Sequence, residues 1–195
     1  MSSLADVDID FADREQILNL IKYTPAMQVT NGVERKHNSG VYVTNIPTNP
    51  FENYASIDYQ QAEERGYFKI DFLNMSVYQH IRDQVHFEEL RNTAPPWKKL
   101  YNPDFCSQLV HVGNHYDTLI QMPEAVDSDV RLMMFLAIIR PGKKHLIGKP
   151  WKEVAETVWD KPDNDAYAFK KSHSCAYARL VMIHMNLINS SFLQE

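Results

Sequence analysis

Cysteine is nearly absent from this chain. Cys106 and Cys175 are the only two in 195 residues, far apart and in no CxxC pair, so a reduced, cytosolic compartment is the expectation. Glycine is scarce at six, and none of it forms a Walker loop or a GxGxxG fingerprint. No Ser-His-Asp set suggests itself. Positive charge is in deficit, with 20 Lys and Arg against 25 Asp and Glu, a net charge of −5. That balance argues against a protein that coats nucleic acid, because backbone binding rests on cations that neutralise phosphates. Any basic surface must therefore be local. Long apolar runs are missing too. The longest, Leu132 to Ile139, is far short of the roughly 18 residues of a membrane span. The opening MSSLADVDIDF is acidic and has no apolar h-region, so no signal peptide is expected. No internal repeat or low-complexity tract is visible.

What is present is a core's worth of apolar residues: 44% of the chain, with 9 Phe, 10 Tyr and 3 Trp. That suits one domain, or one with a small annex. The aromatics are interspersed with aliphatics, which favours a core over a base-stacking platform. Residues 4–11 alternate between Leu4, Asp6, Asp8, Asp10 and Ala5, Val7, Ile9, Phe11, the period of a strand with an acidic face. Ile17, Leu18, Leu20 and Ile21 then predict a helix from Asp13, its cap, to Tyr23, with Pro25 beyond its end. A second extended piece is expected over Gly40–Thr44, and a short helix or turn over Gln60–Arg65, closed by Gly66. Tyr67 to Leu73 alternates again, Phe68, Ile70 and Phe72 against Lys69 and Asp71. The pattern is helical from Ser76 to Leu90 and mostly helical from Asn102 to Ile139, stopping at Arg140-Pro141-Gly142. Helices are expected over Trp151–Trp159 and Tyr167–Phe192. Pro95-Pro96-Trp97 breaks the chain, so a division into 1–93 and 94–195 is expected.

Asp6, Asp8 and Asp10 would stand ~6.5–7 Å apart on one side of their strand. Like charges so spaced favour a cation between them. Asp71 repeats the arrangement on a second strand, and the two strands side by side would gather Asp6, Asp8 and Asp71. Such a set suits two Mg²⁺ ions ~3.5–4 Å apart, the two-metal arrangement of in-line nucleotidyl transfer. A strand with a merely solvated acidic face is the plain alternative. His111 and His115, four apart, would share a helix face as a metal pair or, more simply, as structural residues. Lys170, Lys171, His173 and Arg179 cluster near the start of the last helix, where the helix dipole favours anions.

Several strings, in order, resemble the alpha subunit of bacterial DNA polymerase III, the C-family replicative polymerases. Ala5-Asp-Val-Asp-Ile-Asp-Phe11 is similar to that family's PDxDxDF. Val33 to Val43 resembles its basic, His- and Gly-containing stretch before a strand. Ile57 to Leu73, ending Gly-Tyr-Phe-Lys-Ile-Asp-Phe-Leu, resembles GLxKFDFLG. Ile138-Ile-Arg-Pro-Gly142 resembles ALxRPGP, and Tyr167-Ala-Phe-Lys-Lys-Ser-His-Ser-Cys-Ala-Tyr-Ala178 resembles YxFNKSHSAAYA. Together these touch about half the chain, and 81–123 matches poorly. Lys170 stands where the family has Asn, Asn74 where it has Gly, and Cys175 where it has Ala. Cys175 is expected to be small and packed.

The resemblance implies an α+β fold: a small nucleotidyltransferase palm sheet of the polymerase beta type, followed by a mostly helical fingers-like lobe. It implies catalytic, metal-holding roles for Asp6, Asp8 and Asp71, with two Mg²⁺ ions as cofactor. Lys69, Lys171, Ser172 and His173 would meet the nucleotide, with Arg140 and Lys36 as further contacts; His37 would share that surface. Primer-template DNA and dNTP are the implied partners, in the cytoplasm of a bacterial or phage-infected cell and with no membrane. The family's upstream Gly-Ser motif, which grips the triphosphate, is not found here, so a split or reduced enzyme is expected, with another polymerase subunit supplying that motif. Two other functions stay open: a non-catalytic accessory protein that binds DNA or the host replicase, and a template-independent nucleotidyltransferase.

Overall fold

The computed structural model describes residues 7–162 and 166–191. It is an α+β protein whose chain divides between His80 and Ile81 into two compact units, the first carrying a four-stranded sheet and the second almost wholly helical.

In the first unit, strand β1 (Val7–Phe11) leads into a short helix, α1 (Arg14–Leu18). Asp13 caps α1, its side chain accepting the Glu15 N–H at 3.0 Å, one of the orphan donors every helix start presents. α1 ends well before Tyr23 because the chain turns into strand β2 (Thr24–Thr30), a strand that the sequence pattern did not announce. β2 returns as β3 (Val33–Tyr42) through Asn31-Gly32, both at positive φ, 53° and 76°. That is the hairpin turn whose twist matches its strands. Helix α2 (Tyr59–Glu64) is capped by Asp58 and followed by Gly66 at φ 85°. Strand β4 (Ile70–Asn74) completes a sheet of order β1-β4-β3-β2, with β1 and β4 parallel and the other pairs antiparallel. Pro25 is tolerated because β2 is an edge. Val41 and Tyr42, consecutive and therefore on opposite faces, feed two small cores. Val41 packs with Leu18 and Phe72, while Tyr42 packs with Ala26, Met27, Ile46, Ala55 and Ala62.

The second unit contains α3 (Gln84–Asn92), α4 (Pro103–Ser107), α5 (Tyr116–Ile120), α6 (Asp129–Ile138), α7 (Trp151–Thr157) and α8 (Lys171–Ser191), with 3₁₀ turns between them. α6 is the hub. Leu132, Phe135, Leu136, Ala137 and Ile138 are fully buried, in one core with Val181 and Met185 of α8. An apolar run too short to span a membrane is thus a helix buried on most sides. Ser128 caps it, and Arg131 ties its first turn to Glu124 and Asp127 at 3.0 Å each. The buried Lys143 donates to the Thr157 carbonyl at 2.6 Å, satisfying the C-terminal end of α7.

The division falls at 80/81 and not at 93/94, because α3 belongs to the helical unit. Asn186 of α8 donates from Nδ2 to the carbonyls of Leu90 and Thr93, both at 2.8 Å. The helix expected over 76–90 is also interrupted: Ser76–His80 is a 3₁₀ turn, and α3 starts afresh from its cap, Asp83. Among the described residues, no helix is long and apolar enough to cross a membrane.

Candidate active site

β1 and β4 run parallel, with Asp8 opposite Asp71 and Asp10 opposite Leu73. Paired residues of neighbouring strands point to the same face, ~4.8 Å apart at the backbone, so Asp8 and Asp71 start side by side. Asp6, the third member of the expected set, lies outside the described residues. Asp8 is exposed, and Asp10 is half-buried. Burial first, then the neighbouring charge of Asp8, holds the Asp10 carboxyl above its ordinary range. Tyr78 is likewise raised, by burial and then by Asp10. Burial and the adjacent Asp8 charge thus both disfavour ionisation of Asp10.

On the other side of Asp71, Gly40 of β3 is its register partner. Here β3 leaves the ladder. Val41 pairs with Pro25 and Lys36 with Met27, so His37, Asn38, Ser39 and Gly40 stand against Ala26 alone. This wide bulge delivers side chains to the carboxylate. Ser39 Oγ donates to Asp71 Oδ1 at 2.6 Å. His37 Nδ1 accepts the backbone N–H groups of Gly40 at 2.9 Å and Ser39 at 3.3 Å. The same nitrogen stands 3.7 Å from Asp71 Oδ1. Because its lone pair is engaged with two N–H donors, that approach is not an ion pair, and His37 is neutral with its proton on Nε2. Burial and then the Lys69 charge lower its pKa, against the opposing pull of Asp71 and Asp58. Arg14 fastens the bulge from the other side, donating from Nη1 to the carbonyls of Asn38 and Phe72.

Lys69 and Asp71, expected on one face, meet directly: the ammonium bonds Asp71 Oδ2 and lies 5.8 Å from the centre of the Tyr59 ring. The side chains of His37, Lys69 and Asp71 are between 15% and 18% exposed. Lys36, by contrast, is exposed on the hairpin arm opposite Met27, beyond the bulge.

The remaining expected residues belong to the helical unit. Lys171 and Ser172 are exposed in the first turn of α8, and His173 is half-buried, its ring 6.3 Å from that of Phe169. Arg179, two turns on, pairs with Asp129 at 3.6 Å and so is engaged away from that first turn. Cys175 is exposed rather than packed; the packed residue is its neighbour Ser174, which is fully buried. Arg140 lies over the Phe169 ring at 4.0 Å. His111 and His115 share no helix face. His111 takes a left-handed φ of 62°, and His115 closes the 3₁₀ turn Gly113–His115, so the four-residue spacing does not have its helical meaning.

Sequence reasoning missed Ser39, Tyr59 and Arg14. A signal for Ser39 was present: His37-Asn-Ser-Gly40 is a run of turn formers inside an extended segment, as a bulge requires.

Among the described residues, no three His, Cys, Asp or Glu side chains are gathered closely enough to hold a metal ion. The Asp8–Asp71 pair fits a divalent cation in chemistry. It offers hard oxygen donors from adjacent strands, and its charge already draws in the Lys69 ammonium. No family model, no curated protein and no solved structure matches the chain.

Proposed function

We propose that this chain is a metal-dependent nucleotidyltransferase of the DNA polymerase kind, acting as one part of a split or reduced enzyme on primer-template DNA and dNTP. The observation that carries the reading is the in-register pairing of Asp8 with Asp71 on parallel strands, together with the order of strings that resembles the C-family polymerases. The first unit takes the part of a palm and the helical unit that of fingers. The setting that goes with such partners is the cytoplasm of a bacterial or phage-infected cell.

Asp8 and Asp71, with Asp6 added by the resemblance, are the residues that would hold Mg²⁺. Bound there, the ions supply charge neutralisation at the transferring phosphoryl group and acidify the attacking 3′-hydroxyl. Everything else falls to the protein. Ser39 donates to one oxygen of Asp71 and fixes that carboxylate's orientation. His37 holds the bulge that presents Ser39. Lys69 neutralises Asp71, and its ammonium would be the group offered to the triphosphate of the nucleotide. The resemblance also assigns Lys171, Ser172 and His173 of the helical unit to nucleotide binding.

The test is primer extension with Mg²⁺ and the four dNTPs, run with the chain alone and with the product of the neighbouring reading frame. Extension should fall by about 100-fold or more in Asp8→Asn and Asp71→Asn, the several kcal/mol a metal ligand supplies. No extension in either setting, with primer-template still bound, would replace this reading with that of a DNA-binding accessory protein. Extension without template would assign a template-independent transferase.

A further inference from the structure

A cleft of about 610 Å³ opens in the helical unit between the 3₁₀ turn Pro141–Leu146 and helix α7. The turn contributes Gly142 and Lys143, α7 contributes Glu153, Glu156 and Thr157, and the segment from Asp160 to Pro162 completes the lining. Its shape is held at Gly142. The Gly142 N–H donates to the Tyr167 carbonyl at 3.0 Å. A Cβ at this position would stand 2.9 Å from Pro162 Cγ and 3.0 Å from the Ala166 carbonyl oxygen. A backbone carbonyl cannot swing aside as a long side chain can, so only glycine lets the turn approach the chain that follows α7 this closely.

The charges of the cleft are equal in number and largely unmatched. Three lysines, Lys143, Lys149 and Lys161, stand with three carboxylates, Glu153, Glu156 and Asp160. Among the described residues a single ion pair joins the two sets, Lys149 with Glu153. Lys143 matters most. It is 3% exposed, and its ammonium donates to the Thr157 carbonyl at 2.6 Å. An ammonium carries three N–H donors, and among the described residues no carboxylate lies within ion-pair distance of this one. A buried cation held by one neutral oxygen is costly unless a counter-charge joins it. Anchored on that carbonyl, Lys143 keeps two donors for whatever enters the cleft.

We infer that the cleft binds a small zwitterion, a free amino acid or short peptide, whose carboxylate is taken by Lys143 and whose ammonium is taken by Glu156 and Asp160. The class follows from charge. A phosphate chain would set several negative charges against three carboxylates, and a simple cation would set its charge against three lysines. A molecule with one charge of each sign serves both sets and leaves the cleft neutral. The volume lies within the roughly 300–1,000 Å³ usual for small-molecule pockets, and Leu146 and Pro162 offer apolar surface to the ligand's carbon skeleton. Every residue involved belongs to the helical unit and none has a part in the proposed nucleotidyl transfer, so the inference stands or falls apart from that reading.

The test follows the backbone amide resonances of the full chain by NMR as trialanine, L-alanine, N-acetyl-trialanine, trialanine amide or inorganic phosphate is added at matched ionic strength. Saturable shifts centred on the residues that line the cleft, 142–149 and 153–162, are expected with trialanine or L-alanine. Blocking either end of trialanine should weaken binding by about tenfold or more, the loss of one charge-assisted contact. L-alanine bound at least as tightly as trialanine would make the ligand a free amino acid, and trialanine bound more tightly would make it a peptide. Lys143→Met, which keeps the stem and removes the ammonium, should abolish the preference for trialanine over its amide. Should that variant fail to fold, Glu156→Gln, at an exposed position, should reduce the preference for trialanine over its N-acetyl form with the melting temperature unchanged. No saturable shift with either zwitterion up to about 10 mM, blocked peptides bound as tightly as the free one, phosphate shifting the same amides, or end preferences unchanged in a folded variant would each overturn the assignment.

Discussion

A Cβ built on Gly40 would stand 2.7 Å from Lys69 Cδ, 3.0 Å from His37 Nδ1 and 3.2 Å from Ala26 Cβ. The glycine is therefore what allows the Lys69 stem, the His37 ring and the Asp71 carboxylate to share one spot on the sheet. In Gly40→Ala the flexible lysine yields first. The fold should lose about 1 kcal/mol, read as a melting point about 2–4 °C lower, and Lys69 should leave Asp71. Gly40→Val, which must also move His37, should cost more, and equal melting points for the two variants would show that the pocket is looser than these distances say. Tyr42 poses the opposite case. Its hydroxyl is buried with no hydrogen-bond partner, and burial followed by the charges of Asp58, Asp71 and Glu63 pushes it up to about 12. Removing an unsatisfied buried hydroxyl is expected to be neutral or to stabilise by up to about 1 kcal/mol. Denaturant unfolding of Tyr42→Phe measures this, and a clear loss of stability would mean that the hydroxyl has a partner in solution.

At the scale of elements, what the sequence shows depends on whether a local rule or a distant contact sets the element. The strands holding Asp8 and Asp71 are legible because an acidic face opposite an apolar one imposes a strict period of two. α2 is legible from Gly66, and the start of α1 from Asp13. β2 is not: Thr24-Pro-Ala-Met-Gln-Val-Thr30 has no clean alternation, and Pro25 reads as a terminator until pairing makes the strand an edge. The Asn31-Gly32 hairpin signal was there to be read. Gly32 has open space around it and φ 76°, so Gly32→Ala should cost only the backbone term, about 1 kcal/mol. The attachment of α3 to the helical unit was illegible, since it rests on Asn186, almost a hundred positions downstream. Asn186→Ala strands the carbonyls of Leu90 and Thr93. It should destabilise by about 1–3 kcal/mol and speed amide hydrogen exchange in α3 before it does so in α6. Unchanged exchange in α3 would show that apolar contacts alone hold that helix.

For the whole molecule, the titrating groups of both units bear on a single observable, stability against pH. His37, His111 and His115 all have pKa values below the ordinary 6.5. Burial is the leading cause in each, followed by Lys69 at His37 and by Arg140 at the other two, and His111 is lowered to about 4. A base whose folded pKa lies below its unfolded value takes up its proton more readily when unfolded. Stability is then complete above pH 6.5 and is lost as pH falls from 6.5 toward the folded value. Asp10 works in the other sense. Its raised pKa means that ionisation costs the fold above the ordinary 3.8, a penalty that acid relieves and that Asp10→Asn should remove at neutral pH. The melting temperature is expected to drop between pH 6.5 and about 4, the histidines outweighing the single acid. His111→Asn isolates the largest contribution, because asparagine accepts the left-handed backbone and does not titrate. Its melting profile should be flatter than that of the wild type over this window, and a parallel profile would place the His111 imidazole in water rather than against the Tyr177 ring, 4.3 Å away.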